Sequence, residues 1–279
     1  MRTPGTPDST SAVDSRTVSD FGEQWTRYTD NSGFYGSEAL FLDISQPLIG
    51  HDDVAGKTVA DIGSGTGRIV NMLLAMGAAH VTAIEPSVSW QVVVANTERD
   101  RDRVAVIHGD GLTIPQDGRF DLVVSIGVLH HIEDPAPMVR AAWNALKPGG
   151  ALLVWLYGRE GNGLYLGIFE PLRAITVRLP HPLLSGLCYA LDAAAMAYSA
   201  ASRFLPLPMR GYMLSVYSKL AADKRRLVIY DQLNPAYAKY YRRHEAAALL
   251  EDAGFVEVRT HHRHGYSWTV AGRKPPVEE

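Results

Sequence analysis

The chain has 279 residues, 46% apolar and 20% charged. These globular proportions exclude a disordered or collagen-like chain and, at about 150 residues per domain, leave room for one large domain or two modest ones. Twenty-seven basic residues against thirty acidic ones give a net charge of −3, with no block of five or six like charges, which argues against dedicated nucleic-acid binding. Cys188 is the single cysteine and no Cys/His array has metal-site spacing, so neither an internal disulfide nor a metal is expected, and a cytoplasmic, reducing setting fits best.

Residues 1–20 are rich in Ser, Thr, Pro and Asp, lack the apolar run of a secretory signal, and read as a disordered leader. Residues 21–56 carry Trp25, Tyr28, Phe34 and Tyr35 and read as an N-terminal helical cap. From Lys57 onward, short β-branched runs alternate with longer helical segments, the pattern of parallel strands joined by crossover helices. TVADI (Thr58–Ile62), HVTAI (His80–Ile84), VAVI (Val104–Ile107), FDLVVS (Phe120–Ser125) and ALLVWL (Ala151–Leu156) are the expected strands, apolar enough for burial on both faces. Helices are expected over Arg68–Met76, Ser87–Asn96 and Pro137–Leu146, with LKPGG (Leu146–Gly150) as a break before the fifth strand.

The rhythm then stops. Residues 158–241 far exceed the dozen or so that a crossover needs, and ten of the thirteen tyrosines lie between Tyr157 and Tyr241; a mostly helical insertion is expected. Its longest apolar stretch, Leu183–Pro208, contains Asp192 and Arg203, so stable membrane insertion is not expected, while a peripheral membrane contact and burial of that surface in a homodimer are both open. Residues 242–279 return to the earlier pattern. Glu251–Lys274 reads as a helix end, a glycine cap and an antiparallel hairpin, so 57–157 and 242–279 form one α/β domain interrupted by a lid.

The chemistry concentrates in VADIGSGTGRI (Val59–Ile69). A strand runs into Gly63, Gly65 and Gly67 before a helix begins, which lets the backbone turn tightly and approach a ligand without Cβ obstruction. A dinucleotide fingerprint needs glycine where Arg68 stands, and a pyrophosphate would be repelled by Asp61 at the strand end. An α-amino group would instead pair with that carboxylate while loop amides face the rest of the ligand. Glu85, 24 residues after Asp61, is placed to accept bonds from ribose hydroxyls, and Asp110 from an exocyclic adenine amine.

With these motifs the sequence resembles the class I S-adenosylmethionine-dependent methyltransferases, in a type 11-like, small-molecule form with a helical lid. DIGSGTG is similar to the first motif of that family, AIEPS (Ala83–Ser87) to the second, HGDG (His108–Gly111) to the third, FDLVVSIGVLHHIEDP to the fourth and LKPGGALLVW (Leu146–Trp155) to the one that follows. The resemblance implies a Rossmann-like, doubly wound sheet of strand order 3-2-1-4-5-7-6 with strand 7 antiparallel, and S-adenosyl-L-methionine as cofactor. It implies Asp61, Gly63 and Gly65 at the methionine moiety, Glu85 with Pro86 and Ser87 at the ribose, Gly109, Asp110 and Gly111 at the adenine, and Ile126 as a wall. Trp25 and Tyr28 are expected over the sulfur through cation–π contact, the alternative being ordinary helix packing. His130 and His131 follow the fourth strand as candidate general bases, with His131 favoured and capping or packing as the alternative.

The expected reaction is in-line methyl transfer to oxygen, nitrogen or carbon of a small apolar or aromatic, secondary-metabolite-like acceptor held by the insertion, where Tyr230, Asp231, Tyr237, Tyr240 and Tyr241 offer polar groups. Competing readings are an NAD(P)-dependent oxidoreductase and a non-catalytic S-adenosylmethionine-binding regulatory protein.

Overall fold

The computed structural model describes residues 15–176, 179–233 and 237–277. The first fourteen residues of the expected leader lie outside the described residues. Its last six do not follow the expectation: α1 (Ser15–Arg27) begins within them, because Thr17 is buried and Val18 lines the central cleft. The cap continues through α2 (Glu38–Ser45), whose N-terminus is closed by the Ser37 hydroxyl accepting from the Leu40 amide.

The sheet is built from β1 (Thr58–Ile62), β2 (His80–Glu85), β3 (Val104–His108), β4 (Phe120–Ile126), β5 (Leu146–Tyr157), β6 (Val256–Arg263) and β7 (Ser267–Arg273). Its order is β3-β2-β1-β4-β5-β7-β6. β1 pairs in parallel with β2 and β4, and β7 runs antiparallel to both β5 and β6. Crossovers are made by α3 (Arg68–Ala75), α4 (Trp90–Asn96) and α5 (Ala136–Ala145), with α10 (Arg243–Glu251) leading into β6.

Alternation along the strands splits the core into two layers. Val59, Val81, Leu122, Val124 and Leu153 pack with Phe41 of α2 and Leu73 of α3. Ala60, Ile62, Val123, Leu152 and Val154 pack with Met138 and Ala142 of α5 and Leu250 of α10. Three sequence expectations are corrected here. β3 is only partly buried along its length, because it is an edge strand. Leu146–Gly150 does not break the chain: Leu146 pairs with Phe120, and the irregularity appears as a register shift before Leu122↔Ala151. The helix expected from Ser87 starts at Trp90, since Ser87 and Ser89 are engaged around Glu85.

Between β5 and α10 lie α6 (Gly163–Thr176), α7 (His181–Ala201), α8 (Arg210–Ser215) and α9 (Ala222–Leu233). Gly158 bridges to Tyr241 where the chain leaves and rejoins the sheet. The four helices bury a core of their own, with Leu184 and Cys188 of α7 against Met213, Ile229 and Leu233.

Candidate active site

An open cleft of about 860 Å³, its solvent-open mouth included, lies beyond the carboxyl ends of β1, β2 and β4, where a doubly wound sheet places its ligands. Its floor is the loop Ile62–Thr66 with Glu85 and Pro86, one end holds Asp110 and Gly111, and Ile126, Val128, His131 and Met138 form a wall. α1 roofs it with Thr17, Val18, Phe21 and Trp25.

The loop geometry explains its glycines. Gly63 has φ +79° and a Cβ there would stand 2.3 Å from Val128 Cγ2. Gly65 has φ +57°, and its Cβ would lie 3.3 Å from Trp25 Nε1. A side chain at either site would be strained and would intrude on the roof or wall. The loop is pinned from below by Gly63 and Ser64 amides donating to the Ile84 carbonyl at 2.8 and 3.1 Å.

Asp61 is 1% exposed, and its Oδ2 has no hydrogen-bond partner. Burial pushes its carboxyl up to about 7, against the pull of the Ser64 hydroxyl and Arg68 and with the nearby charge of Glu85 adding to the rise. An unpartnered carboxylate oxygen beneath a glycine loop suits a ligand ammonium, which would satisfy both its hydrogen bond and its charge. Glu85 is also buried, and burial raises its pKa despite donors on both oxygens. The Gly65 amide donates to Oε2 at 2.7 Å, and the Ser87 amide and hydroxyl donate to Oε1 at 3.0 and 2.6 Å. Both lone pairs of Oε1 are thereby engaged, while Oε2 keeps a second one for a ligand hydroxyl. Asp110 caps a short turn by accepting from the Leu112 amide at 3.0 Å.

Several expected residues stand elsewhere. Asp61, Ser87 and Gly109 do not line the cleft: Asp61 is buried one residue before its floor begins at Ile62, Ser87 supports Glu85 from below and the Gly109 amide donates to the Glu85 carbonyl at 3.1 Å. Tyr28 falls just past the end of α1 and faces Tyr230 of α9 with ring centroids 6.5 Å apart, so Trp25 alone of the pair reaches the cleft. His130 is no base at the rim. It is fully buried among Tyr157, Trp155 and His131, with centroids 3.8 Å from Tyr157, and neither ring nitrogen has a partner in hydrogen-bond geometry. Burial takes its pKa well below the usual value, with the His131 ring adding to the fall and the Trp155 backbone opposing it. Tyr230, Asp231, Tyr240 and Tyr241 are not among the cleft residues; Asp231 instead accepts from Gln24 of α1.

His131 does line the cleft. Its Nδ1 lies 2.8 Å from the Tyr237 carbonyl, which only an N–H can donate to, so Nε2 carries the lone pair. Burial brings its pKa down to about 4 despite that bond, and Arg173 adds to the fall. The Phe21 ring meets it edge-on at 4.9 Å. Sequence reasoning passed over Phe21, although it sits one helical turn before Trp25 and so shares its face. It also passed over Arg68, whose guanidinium lies 4.4 Å over the Tyr35 ring while lining the cleft. The cap is lashed to the loop by Asn31, which donates to the Thr66 carbonyl at 3.0 Å and accepts from the Thr66 hydroxyl at 2.7 Å.

A family model described as a methyltransferase domain matches residues 60–154. A ubiquinone biosynthesis O-methyltransferase from Pseudomonas paraeruginosa is 34% identical over 38% of this chain and 47% of its own length, so the chain spans about half the length of that relative. Among solved structures, the pyocyanin biosynthetic protein PhzM shares 15% identity with a TM-score of 0.51, over 84% of this chain and 54% of that one. A protein from Nostoc punctiforme described as a putative O-methyltransferase shares 16% with a TM-score of 0.50, over 85% and 55%. At those identities the two structures speak for the fold alone.

Proposed function

We propose that this chain, whose residues 60–154 belong to the class I S-adenosylmethionine-dependent methyltransferases, transfers a methyl group from that cofactor to a small, apolar or aromatic acceptor. The observation that carries the reading is the buried Oδ2 of Asp61, left without a partner below the glycine loop. Asp61 and the loop amides would hold the amino-acid end, Glu85 the ribose and Asp110 the adenine. When bound, the cofactor supplies an activated sulfonium methyl for in-line displacement.

The protein's own part is orientation and exclusion of water. Trp25 and Phe21 close the roof with aromatic faces suited to a cationic centre. Neutral His131 accepts a hydrogen bond from the acceptor's N–H or O–H and so directs its lone pair. A pKa near 4 makes it a weak base, yet an acceptor oxygen becomes far more acidic as its new bond forms, and the imidazole then takes the proton. The apolar cleft lining and the tyrosine-rich insertion favour a small organic acceptor over a nucleic acid. Buried, free Cys188 is consistent with work in a reducing compartment.

Calorimetric titration with S-adenosylhomocysteine and with NAD tests the cofactor. The expected outcome is one-to-one binding of the former and none of the latter; Asp61→Asn should weaken binding at least about tenfold, the loss of a charge-assisted bond of about 1.5–3 kcal/mol. NAD binding with no response to S-adenosylhomocysteine would overturn the reading. For the acceptor, methyl-labelled cofactor is incubated with cell extract. Label in the organic-soluble small-molecule fraction supports the proposal, and label confined to RNA or protein refutes the acceptor class.

A further inference from the structure

The insertion carries an apolar surface that the sheet domain does not use. α7 buries one stripe, Leu184, Cys188, Asp192, Ser199 and then Ser202, spaced by about one or two helical turns. Its outward positions, among them Leu183, Tyr189, Ala193, Ala197 and Ala200, include no Asp, Glu, Lys or Arg. Asp192 is the only such residue in the helix, and it faces inward, where it accepts from Arg225 Nε at 2.7 Å and Tyr217 Oη at 2.8 Å. Large side chains extend this face: Leu183 is 61% exposed, Phe204 87% and Leu205 52%.

Phe204 and Leu205 are held outward by a tied turn. Tyr198 Oη donates to the Pro208 carbonyl at 2.8 Å, and Arg210 Nε donates to the Ser202 carbonyl at 2.6 Å. Basic residues rim the patch: exposed Arg203 and Arg210 flank the turn, and the Arg226 guanidinium lies 4.3 Å over the Tyr189 ring. This sign is general to the insertion. Residues 158–241 hold ten basic and five acidic residues, a net charge of +5, so the rest of the chain carries −8 within the total of −3.

We propose that this face docks on an anionic lipid bilayer, with α7 lying in the interface and Phe204 and Leu205 inserted among the acyl chains. Two copies of the face would bring the basic rim of Arg203, Arg210 and Arg226 against a second basic rim, whereas an anionic lipid surface complements it and strengthens binding about fivefold for each basic side chain near it. Residues Pro182–Ala201 are long and apolar enough to cross a membrane, but crossing would strip α7 from α9 and carry the Asp192–Arg225 pair into hydrocarbon. An interfacial pose keeps that pair on the protein side. The inference stands apart from the methyl-transfer reading, since it uses no residue of the cleft.

Flotation of the full chain with vesicles of phosphatidylcholine, with and without phosphatidylglycerol, tests it. Binding should require the anionic lipid and fall at high salt. The double substitution Phe204→Asp/Leu205→Asp should lower partitioning at least about tenfold, and Arg203→Glu/Arg210→Glu should erase the preference for anionic vesicles; all these positions are exposed, and unchanged S-adenosylhomocysteine affinity and melting temperature report an intact fold. No flotation, or flotation indifferent to both variants, overturns the proposal. So does a concentration-dependent dimer in sedimentation velocity that Phe204→Asp/Leu205→Asp disperses, because the face then belongs to a second copy.

Discussion

At Asp61 an unmet hydrogen bond and a raised pKa have one cause, burial beneath the loop. With its carboxyl raised to about 7, the group is largely protonated at pH 6 and ionised at pH 8. An ammonium ligand needs the ionised form, so binding at low pH must first expel a proton. S-adenosylhomocysteine affinity should therefore fall about tenfold from pH 8 to pH 6. Calorimetry in buffers of different ionisation enthalpy should register proton release near pH 6, and Asp61→Asn should flatten the pH dependence. A wild-type affinity indifferent to pH would place the ammonium elsewhere. The adjacent histidines separate in the same way. His131→Ala should lower turnover about ten- to a hundredfold with cofactor affinity within about twofold. His130→Phe should leave turnover intact and raise stability by about 1 kcal/mol, since it removes two buried polar atoms without partners from an aromatic cage. Sequence spacing put both rings in one turn. Which ring met the cleft was set by the short helical turn at Leu129–His131 and by the Tyr237 carbonyl, more than a hundred residues away.

Among the elements, the β1–α3 turn and α1 act together, because the loop's glycines are required by what packs on them. Gly63→Ala should destabilise the protein by about 1–2 kcal/mol through its positive φ alone and further through the 2.3 Å approach to Val128. Adding Val128→Ala should recover the clash component and leave the backbone component. A thermal melt of the three variants separates the two, and full recovery would show that backbone strain contributes nothing. The sheet was legible because strands covered on both faces must be apolar throughout and glycine punctuation marks where they end. What was not legible depended on position in the sheet or on distant contacts. β3 is apolar like its neighbours yet lies at an edge. Lys147, Pro148 and Gly149 resemble a break but continue β5. Trp25 and Tyr28 are three residues apart, but α1 ends between them, so only Trp25 reaches the cleft.

For the molecule as a whole, the same buried groups set how stability responds to acid. Asp61 and Asp231 both have carboxyls raised to about 7 by burial. The folded chain thus holds protons that the unfolded chain has released between about pH 4 and 7, and this contribution is full below pH 4 and lost as pH rises through 7. His131, lowered to about 4, and His130, lowered well below its usual value, act oppositely. The unfolded chain protonates at 6.5 and the folded chain does not, so stability falls as pH drops from 6.5, by about 2 kcal/mol at pH 5 for His131. Between pH 5 and 6.5 the carboxyls and histidines offset each other. The paired carboxylates Asp43, Asp121 and Asp192, whose pKa values are lowered, lose their contributions only below about pH 4. Wild-type unfolding free energy should accordingly change little from pH 7 to pH 5, whereas Asp61→Asn/Asp231→Asn, lacking the compensating protons, should lose about 2–4 kcal/mol over that interval in urea titrations. Saturating S-adenosylhomocysteine ionises Asp61 in the folded state and removes part of the same compensation. The stabilisation it confers should therefore be smaller at pH 5.5 than at pH 7.5, and equal stabilisation at both would separate Asp61 from the ligand.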